Sequence, residues 1–245
     1  MHPAFIVLSG GLDSSTVAYY TKHKLHASPL HCFFFNYKQR TLRQELLCAK
    51  RISTSIGASL TTINIQWLGK ASKTLITTTR KTPQTTLTDL DNITKERETR
   101  KLWWVPCRNS VFLLSVLAYA ESYHLATGSR PVIYSGIKRE GRIPMKDTTP
   151  QFLKKINELA EEATYHGGYL IEAPLMDLDK DQVVALGEEL HVPWQDTFSC
   201  YVGKGYTTTH RKKIPVHCGT CSNCRLRQTG FYWANIPDPT IYYEH

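Results

Sequence analysis

No stretch of this 245-residue chain is apolar for the roughly 20 residues that a membrane-spanning helix needs; the longest, Val111 to Ala120, is about half that length. No N-terminal targeting segment fits either, because the apolar run Phe5 to Leu8 is short and leads straight into a glycine turn. The expectation is a soluble, cytoplasmic protein with no membrane partner. Two nucleotide signatures are also missing. There is no GxxxxGK[ST] run and no GxGxxG turn, so neither a Walker-type nor a dinucleotide site is expected. Basic residues are not gathered into a stripe: Arg211-Lys212-Lys213 is the one run and reads as a solvated loop, which argues against direct nucleic-acid binding. No internal repeat is visible. What the chain does have is an excess of positive charge, 30 Lys and Arg against 21 Asp and Glu, for a formal net charge of +9. That balance suits a protein whose ligands are anions.

The length suits one large α/β domain with a modest appendage. Ala4 to Leu8 and Pro29 to Phe35 read as buried strands, Leu42 to Gly57 as a helix stopped by glycine, and Leu60 to Ile65 as a third strand. With a helix beginning near Ser14, the order is β-α-β-α-β. It predicts a doubly wound parallel sheet with its ligand site at the carboxyl ends of the strands. Asn109 to Leu125, Pro150 to Tyr165 and Asp179 to Leu190 read as helices, and Pro131 to Ser135 and Tyr169 to Glu172 as strands. From Gln66 to Val105 the periodicity gives way to a Thr- and Lys-rich stretch, too long for an ordinary connection and expected to be a flexible flap or insertion. Residues 1–195 form the expected α/β domain, and 196–245 a C-terminal tail.

The strand ending at Leu8 runs into Ser9-Gly10-Gly11-Leu12-Asp13-Ser14-Ser15-Thr16. Paired glycines let backbone amides converge, the hydroxyls of Ser9, Ser14 and Ser15 add donors, and the helix that follows brings its positive end to the same place. An anion belongs there. Asp13 would repel phosphate if it stood alone, so it is expected either to cap the helix or to help hold Mg²⁺. Arg108 offers a planar donor fork suited to a carboxylate or an α-phosphate, and Asn109 beside it both gives and accepts hydrogen bonds.

Cys32, Cys48 and Cys107 lie singly in apolar or helical patterns and read as inert buried thiols. Cys218, Cys221 and Cys224 form a CxxCxxC cluster, and Cys200 precedes them in a segment without period. Three thiolates at that spacing point at one centre, and a fourth completes the tetrahedral shell that structural zinc prefers. Disulfides and an iron-sulfur cluster are the competing readings.

The pattern Ser-Gly-Gly-Leu-Asp-Ser resembles the pyrophosphate loop of ATPases that cleave between the α and β phosphates, within the adenine nucleotide alpha hydrolase-like fold. Nearly the whole chain resembles the 7-cyano-7-deazaguanine synthase family of queuosine biosynthesis. The resemblance rests on that loop, on Val105-Pro106-Cys107-Arg108-Asn109, and on the tail. There Ser199-Cys200-Tyr201, Cys218 to Arg227, Gly230-Phe231 and Asp238-Pro239-Thr240 follow the family in order. It implies an ATP-dependent, C–N bond-forming ligase that adenylates 7-carboxy-7-deazaguanine, releases pyrophosphate, and uses ammonia to reach the nitrile. ATP and Mg²⁺ are the implied reagents and Zn²⁺ the implied metal, at Cys200, Cys218, Cys221 and Cys224. Leu8 to Thr16 with Asn109 are the implied ATP site, and Asp13, Gln39, Arg40 and Arg108 the implied catalytic set. Tyr37, Arg108, Asp147 and Phe152 are the implied substrate contacts. Asp147 accepts from the N1–H and amine of a guanine-like ring, or else caps a helix before Thr148.

The departures from the family cluster on the substrate side. Tyr37-Lys38-Gln39-Arg40-Thr41 replaces a small residue and a histidine, and Pro144 to Phe152 keeps only Asp147, Pro150 and Phe152 in register. The interval between Cys200 and Cys218 is lengthened. These changes leave a second reading open, in which the same adenylation conjugates the deazaguanine to the N-terminal amine of a protein acceptor in anti-phage defence. A tRNA-modifying enzyme and a non-enzymatic nucleotide sensor are the further alternatives. A homodimer is compatible with all of them.

Overall fold

The computed structural model describes residues 2–90, 92–139, 141, 144–209 and 212–243. Five parallel strands form the central sheet: β1 (Ala4–Val7), β2 (Leu30–Asn36), β3 (Ser59–Asn64), β4 (Val132–Ser135) and β5 (Ile171–Glu172), in the order β3-β2-β1-β4-β5. Both faces are covered, so the strands read as apolar runs and not as alternating ones. Successive residues still part to opposite sides. Ile6, Cys32 and Phe34 face one core with Val17 and Ala18 of α1 (Leu12–His23), Ala49 and Ile52 of α2 (Leu42–Ser55) and Val183 of α8 (Lys180–Glu189). Phe5, Phe33, Phe35 and Ile133 face the other, with Leu113, Val116 and Leu117 of α6 (Arg108–Thr127) and Ile156 and Ala160 of α7 (Pro150–Ala163). Burying Phe33, Phe34 and Phe35 stabilises the sheet by about 1.5–3 kcal/mol apiece.

The segment 66–105, expected as a flap or insertion, contains three helices: α3 (Gln66–Ala71), α4 (Leu87–Leu90) and α5 (Ile93–Trp103). Leu68, Leu75, Ile76, Trp103 and Val105 bury themselves in the second core. The enlarged interval between Cys200 and Cys218 carries an antiparallel ribbon of β6 (Tyr206–Thr209) and β7 (Lys212–Pro215). Its tip, residues 210 and 211, lies outside the described residues, so the loop expected at Arg211 falls there in part. In the tail, α9 (Ser222–Trp233) sends Phe231 into the first core. Among the described residues, no helix is long and apolar enough to cross a membrane.

The chain winds from β1 toward β2 on one face and reaches β4 by way of the other. The strand order therefore reverses beside β1, and a crevice opens at the carboxyl ends of β1 and β4, where doubly wound sheets bind ligands.

Candidate active site and metal centre

The turn after β1 fills that crevice. Gly10 adopts φ +77°, and a Cβ there would stand 2.7 Å from both Ala49 N and Glu45 O on α2. Only glycine lets the loop lie this close to the helix. Ser9 Oγ and Ser14 Oγ are 2.9 Å apart, Gly11 N donates to Ser9 Oγ, and Phe198 N donates to Gly10 O, so the turn is held from both sides. Gly136, just after β4, is equally constrained: a Cβ would meet Ser14 N at 2.9 Å. The amino end of α1 thus points into the crevice with its first amides free of intrahelical partners.

Helix α1 begins at Leu12, two residues before the sequence suggested, and this changes the roles of the next positions. Asp13 is already helical and does not cap; both its carboxylate oxygens accept from Lys180 Nζ at 2.9 Å. Lys180 opens α8, and no sequence signal had marked it. Ser15 and Thr16, expected at the loop, are fully buried one turn into the helix. Thr16 Oγ1 donates to Leu12 O, and neither side chain lines the crevice.

A cleft of about 290 Å³ extends from the loop, lined by Ser9, Gly11 to Ser14, Tyr37, Gln39, Glu45, Arg108, Asn109, Lys138 and Lys180. A second cavity of about 400 Å³ joins it, walled by Arg108, Asn109, Lys138, Asp147 and Tyr201 and roofed by Trp103, Trp104 and other residues of segment 84–104. Trp103 stacks on Tyr201 with ring centroids 4.5 Å apart. The roof is pinned to the tail, because Thr85 N donates to Thr220 O and Arg225 Nε donates to Thr85 O. Arg108 and Asn109 stand where the two spaces meet. Arg108 hydrogen-bonds the Tyr37 hydroxyl, and Asn109 Nδ2 donates to Asp147 O at 3.1 Å. Lys138, another residue the sequence did not single out, is buried on the shared wall with Nζ donating to Arg139 O.

Asp147 faces the second cavity. It is not the cap of α7, a place taken by Thr149. Burial pushes its carboxyl above the ordinary range, against the pull of Arg108. Gln39 lines the first cleft but its amide is committed: Oε1 accepts from Tyr37 N, and Nε2 donates to Phe35 O and to Glu45 Oε2. Arg40 lies apart from the others, reaching the carbonyl of Arg80, and Phe152 packs against the second core; neither lines either space. Polar groups already spent on the backbone make Arg40 a support for segment 66–105.

Cys200, Cys218, Cys221 and Cys224 are buried together, their sulfurs all within 4.8 Å of one another. In a tetrahedral shell with metal–sulfur bonds of about 2.3 Å, sulfurs stand about 3.8 Å apart; Cys218 and Cys224 are at 3.9 Å. Amides of Val202, Gly203 and Cys218 donate to Cys200 Sγ, and that of Cys221 donates to Cys218 Sγ. Such donors favour thiolates and orient them toward a centre. Hydrogen bonds from the neighbouring thiols, Cys200 first, hold the Cys218 thiol well below its usual value, while the same network pushes Cys224 up. The donor set fits one soft ion.

The family model described as queuosine biosynthesis protein QueC matches residues 3–235. The chain is 36% identical to the 7-cyano-7-deazaguanine synthase of Methanosphaera stadtmanae over 98% of this chain and 97% of that one. It is 33% identical to the protein of the same name from Methanobrevibacter smithii, over 98% of both. Among solved structures it is similar to a 4-thiouridine synthetase in complex with RNA and bound ATP, at 17% identity and a TM-score of 0.45, covering 82% of this chain and 45% of that one. That weak likeness adds nothing to the topology. The sequence match runs end to end, and the chain belongs to the QueC family of queuosine biosynthesis proteins.

Proposed function

We propose that this chain is an ATP-dependent ligase that converts 7-carboxy-7-deazaguanine and ammonia into 7-cyano-7-deazaguanine. The observation that carries the reading is the near-full-length match to relatives bearing the synthase name. The geometry supports it, because an anion-binding loop opens into one space and a second, aromatic-roofed space adjoins it.

A carboxylate is a poor electrophile, so one of its oxygens must first become a leaving group. In this reading the triphosphate lies on the Ser9–Ser14 turn, where amides and the amino end of α1 meet the charge that builds on pyrophosphate. Mg²⁺ enters with ATP. Asp13, paired with Lys180, orders the start of α1. The deazaguanine occupies the second space under Trp103 and Trp104, with Asp147 reading its donors, and its carboxylate meets Arg108 and Asn109 where the spaces join. The carboxylate oxygen forms a bond to the α-phosphorus as the bond to pyrophosphate breaks. Ammonia then displaces AMP to give the amide, and a second ATP activates the amide oxygen so that it leaves and the nitrile remains. Cys200, Cys218, Cys221 and Cys224 would hold zinc, which would supply a redox-silent cross-link keeping Cys200 and Tyr201 beside the cleft.

Identifying the nucleotide products tests the first step. The enzyme is expected to yield AMP and pyrophosphate from ATP only when the carboxylic acid is present. ADP and orthophosphate would reject adenylation.

A further inference from the structure

Ammonia must reach the acyl-adenylate, yet at neutral pH nearly all of it is ammonium, which has no lone pair to attack with. A site that uses it needs an anion to gather the cation and a base to take its proton. Two carboxylates among the described residues line the ATP cleft, Asp13 and Glu45. Asp13 is neutralised by Lys180 at 2.9 Å from both oxygens. Glu45 is different. It sits in the first turn of α2, beside the glycine turn, and no described cation lies within 4.0 Å of it. Its oxygens accept one hydrogen bond each, from Thr41 Oγ1 at 2.5 Å and Gln39 Nε2 at 3.0 Å. A carboxylate has about four lone-pair sites. Glu45 therefore keeps acceptor capacity on the cleft side while two neutral donors fix its orientation. Resting on the ligase reading above, we infer that Glu45 binds the incoming ammonium and is the proton acceptor that turns it into the nucleophile.

The surroundings fit that task. Arg108, Tyr37 and Cys48 are the other ionisable groups whose fields reach Glu45. Arg108 lines both spaces and so marks the junction where the acyl carbon is expected, and Glu45 lines the same cleft, which brings nitrogen held by Glu45 into the space that the acyl carbon borders. Burial pushes the Glu45 carboxyl up, against the hydrogen bonds of Thr41 and Gln39 and the field of Arg108, which makes it a better base than an exposed glutamate. Gln39 thus acts through Glu45 as a positioning residue, and Thr41, which stands where the family has histidine, does the same with a hydroxyl.

Ammonium gives one proton to a Glu45 oxygen, and the freed lone pair forms the C–N bond at the acyl carbon. The C–O bond to the phosphate breaks with its electron pair leaving on AMP, and the second proton lost from nitrogen passes to water.

The test uses the full-length, metal-loaded protein and the Glu45→Gln variant, with a thermal melt to establish that both are folded. Three rates are compared: ATP–pyrophosphate exchange with the carboxylic acid, amide formation against ammonium chloride, and hydroxamate formation with hydroxylamine, which is uncharged at neutral pH. Glu45→Gln is expected to raise the half-saturating ammonium concentration and slow amide formation by about a hundredfold. Exchange and hydroxamate formation should fall far less. An unchanged ammonium dependence, or a loss of hydroxamate as large as the loss of amide, would overturn the assignment. If Glu45→Gln does not fold, Thr41→Val is used, and an unchanged ammonium dependence there overturns it equally. No acid-dependent exchange in the wild-type protein would instead reject the ligase reading itself.

Discussion

Replacing Gly10 by alanine separates two costs that the structure keeps distinct. An L-residue forced to φ near +77° loses about 1–2 kcal/mol in backbone strain. The new Cβ would also stand 2.7 Å from Ala49 N and from Glu45 O, which are backbone atoms of α2 and cannot rotate away. Overpacking of that kind adds about 1–3 kcal/mol. Gly57 is the internal control: its φ is +69°, and an added Cβ would meet nothing within 4 Å. Gly57→Ala should therefore cost only the strain. In thermal unfolding with metal content matched, Gly10→Ala is expected to lower Tm by about 4–20 °C and Gly57→Ala by about 2–8 °C, taking about 2–4 °C per kcal/mol for a chain this long. Gly10→Ala should also lose nucleotide binding in calorimetry, since the turn must lift off α2, while Gly57→Ala binds normally. Equal Tm losses would refute the argument from close approach, and normal ATP binding by a folded Gly10→Ala would refute the placement of the phosphate on the turn.

Cys221→Ser should lose the metal, which elemental analysis of the wild-type protein should give as one zinc ion per chain, and should melt earlier because a closed zinc site contributes folding energy; iron absorption in the visible region would defeat the zinc assignment. Arg227 is fully buried, donating to Thr197, Trp194 O and Thr240 with Asp238 3.5 Å away. Arg227→Met strands these acceptors and is expected to cost about 3–5 kcal/mol in urea unfolding; a loss under 1 kcal/mol would contradict the network's role. Asp147 has its folded value raised by burial, so its carboxyl favours the native state fully below the ordinary value of 3.8 and withdraws that support as pH rises through the raised value. Asp147→Asn should accordingly be more stable than wild type at neutral pH, with the gap closing near pH 3.8 and below; a pH-independent gap would show that burial of the charge is not the cause.

Much of the scaffold was legible because its signals are local. Ala4 to Leu8 runs without interruption into paired glycines, and four cysteines cluster in a region without period, so the anion turn and the metal centre can be read from short windows. Helix α5 was not, because Thr94 to Lys101 is polar at every position, and its contribution is concentrated at Trp103, where it roofs a cavity. The side chains that complete the site come from separate parts of the fold: Glu45 from α2, Lys138 from the segment after β4, Lys180 from α8. Each looks like an ordinary surface charge in sequence. Only the strand order β3-β2-β1-β4-β5 brings them to one crevice. Arg40 and Phe152 show the converse, since matching a motif does not say which way a side chain turns, and here one supports segment 66–105 and the other fills the core.

The proposed reaction joins nitrogen from ammonia to the carboxyl carbon of a deazaguanine at the expense of ATP cleaved to AMP. Incubating the metal-loaded protein with 7-carboxy-7-deazaguanine, ATP and ¹⁵N-ammonium, and following product by mass spectrometry with nucleotides in parallel, tests it directly. The expected product is 7-cyano-7-deazaguanine carrying the heavy nitrogen, with AMP accumulating alongside it. AMP formation without a nitrile, accompanied by a deazaguanine adduct on a protein amine, would contradict the choice of ammonia as acceptor, and no acid-dependent AMP from folded protein would contradict the ligase reading as a whole.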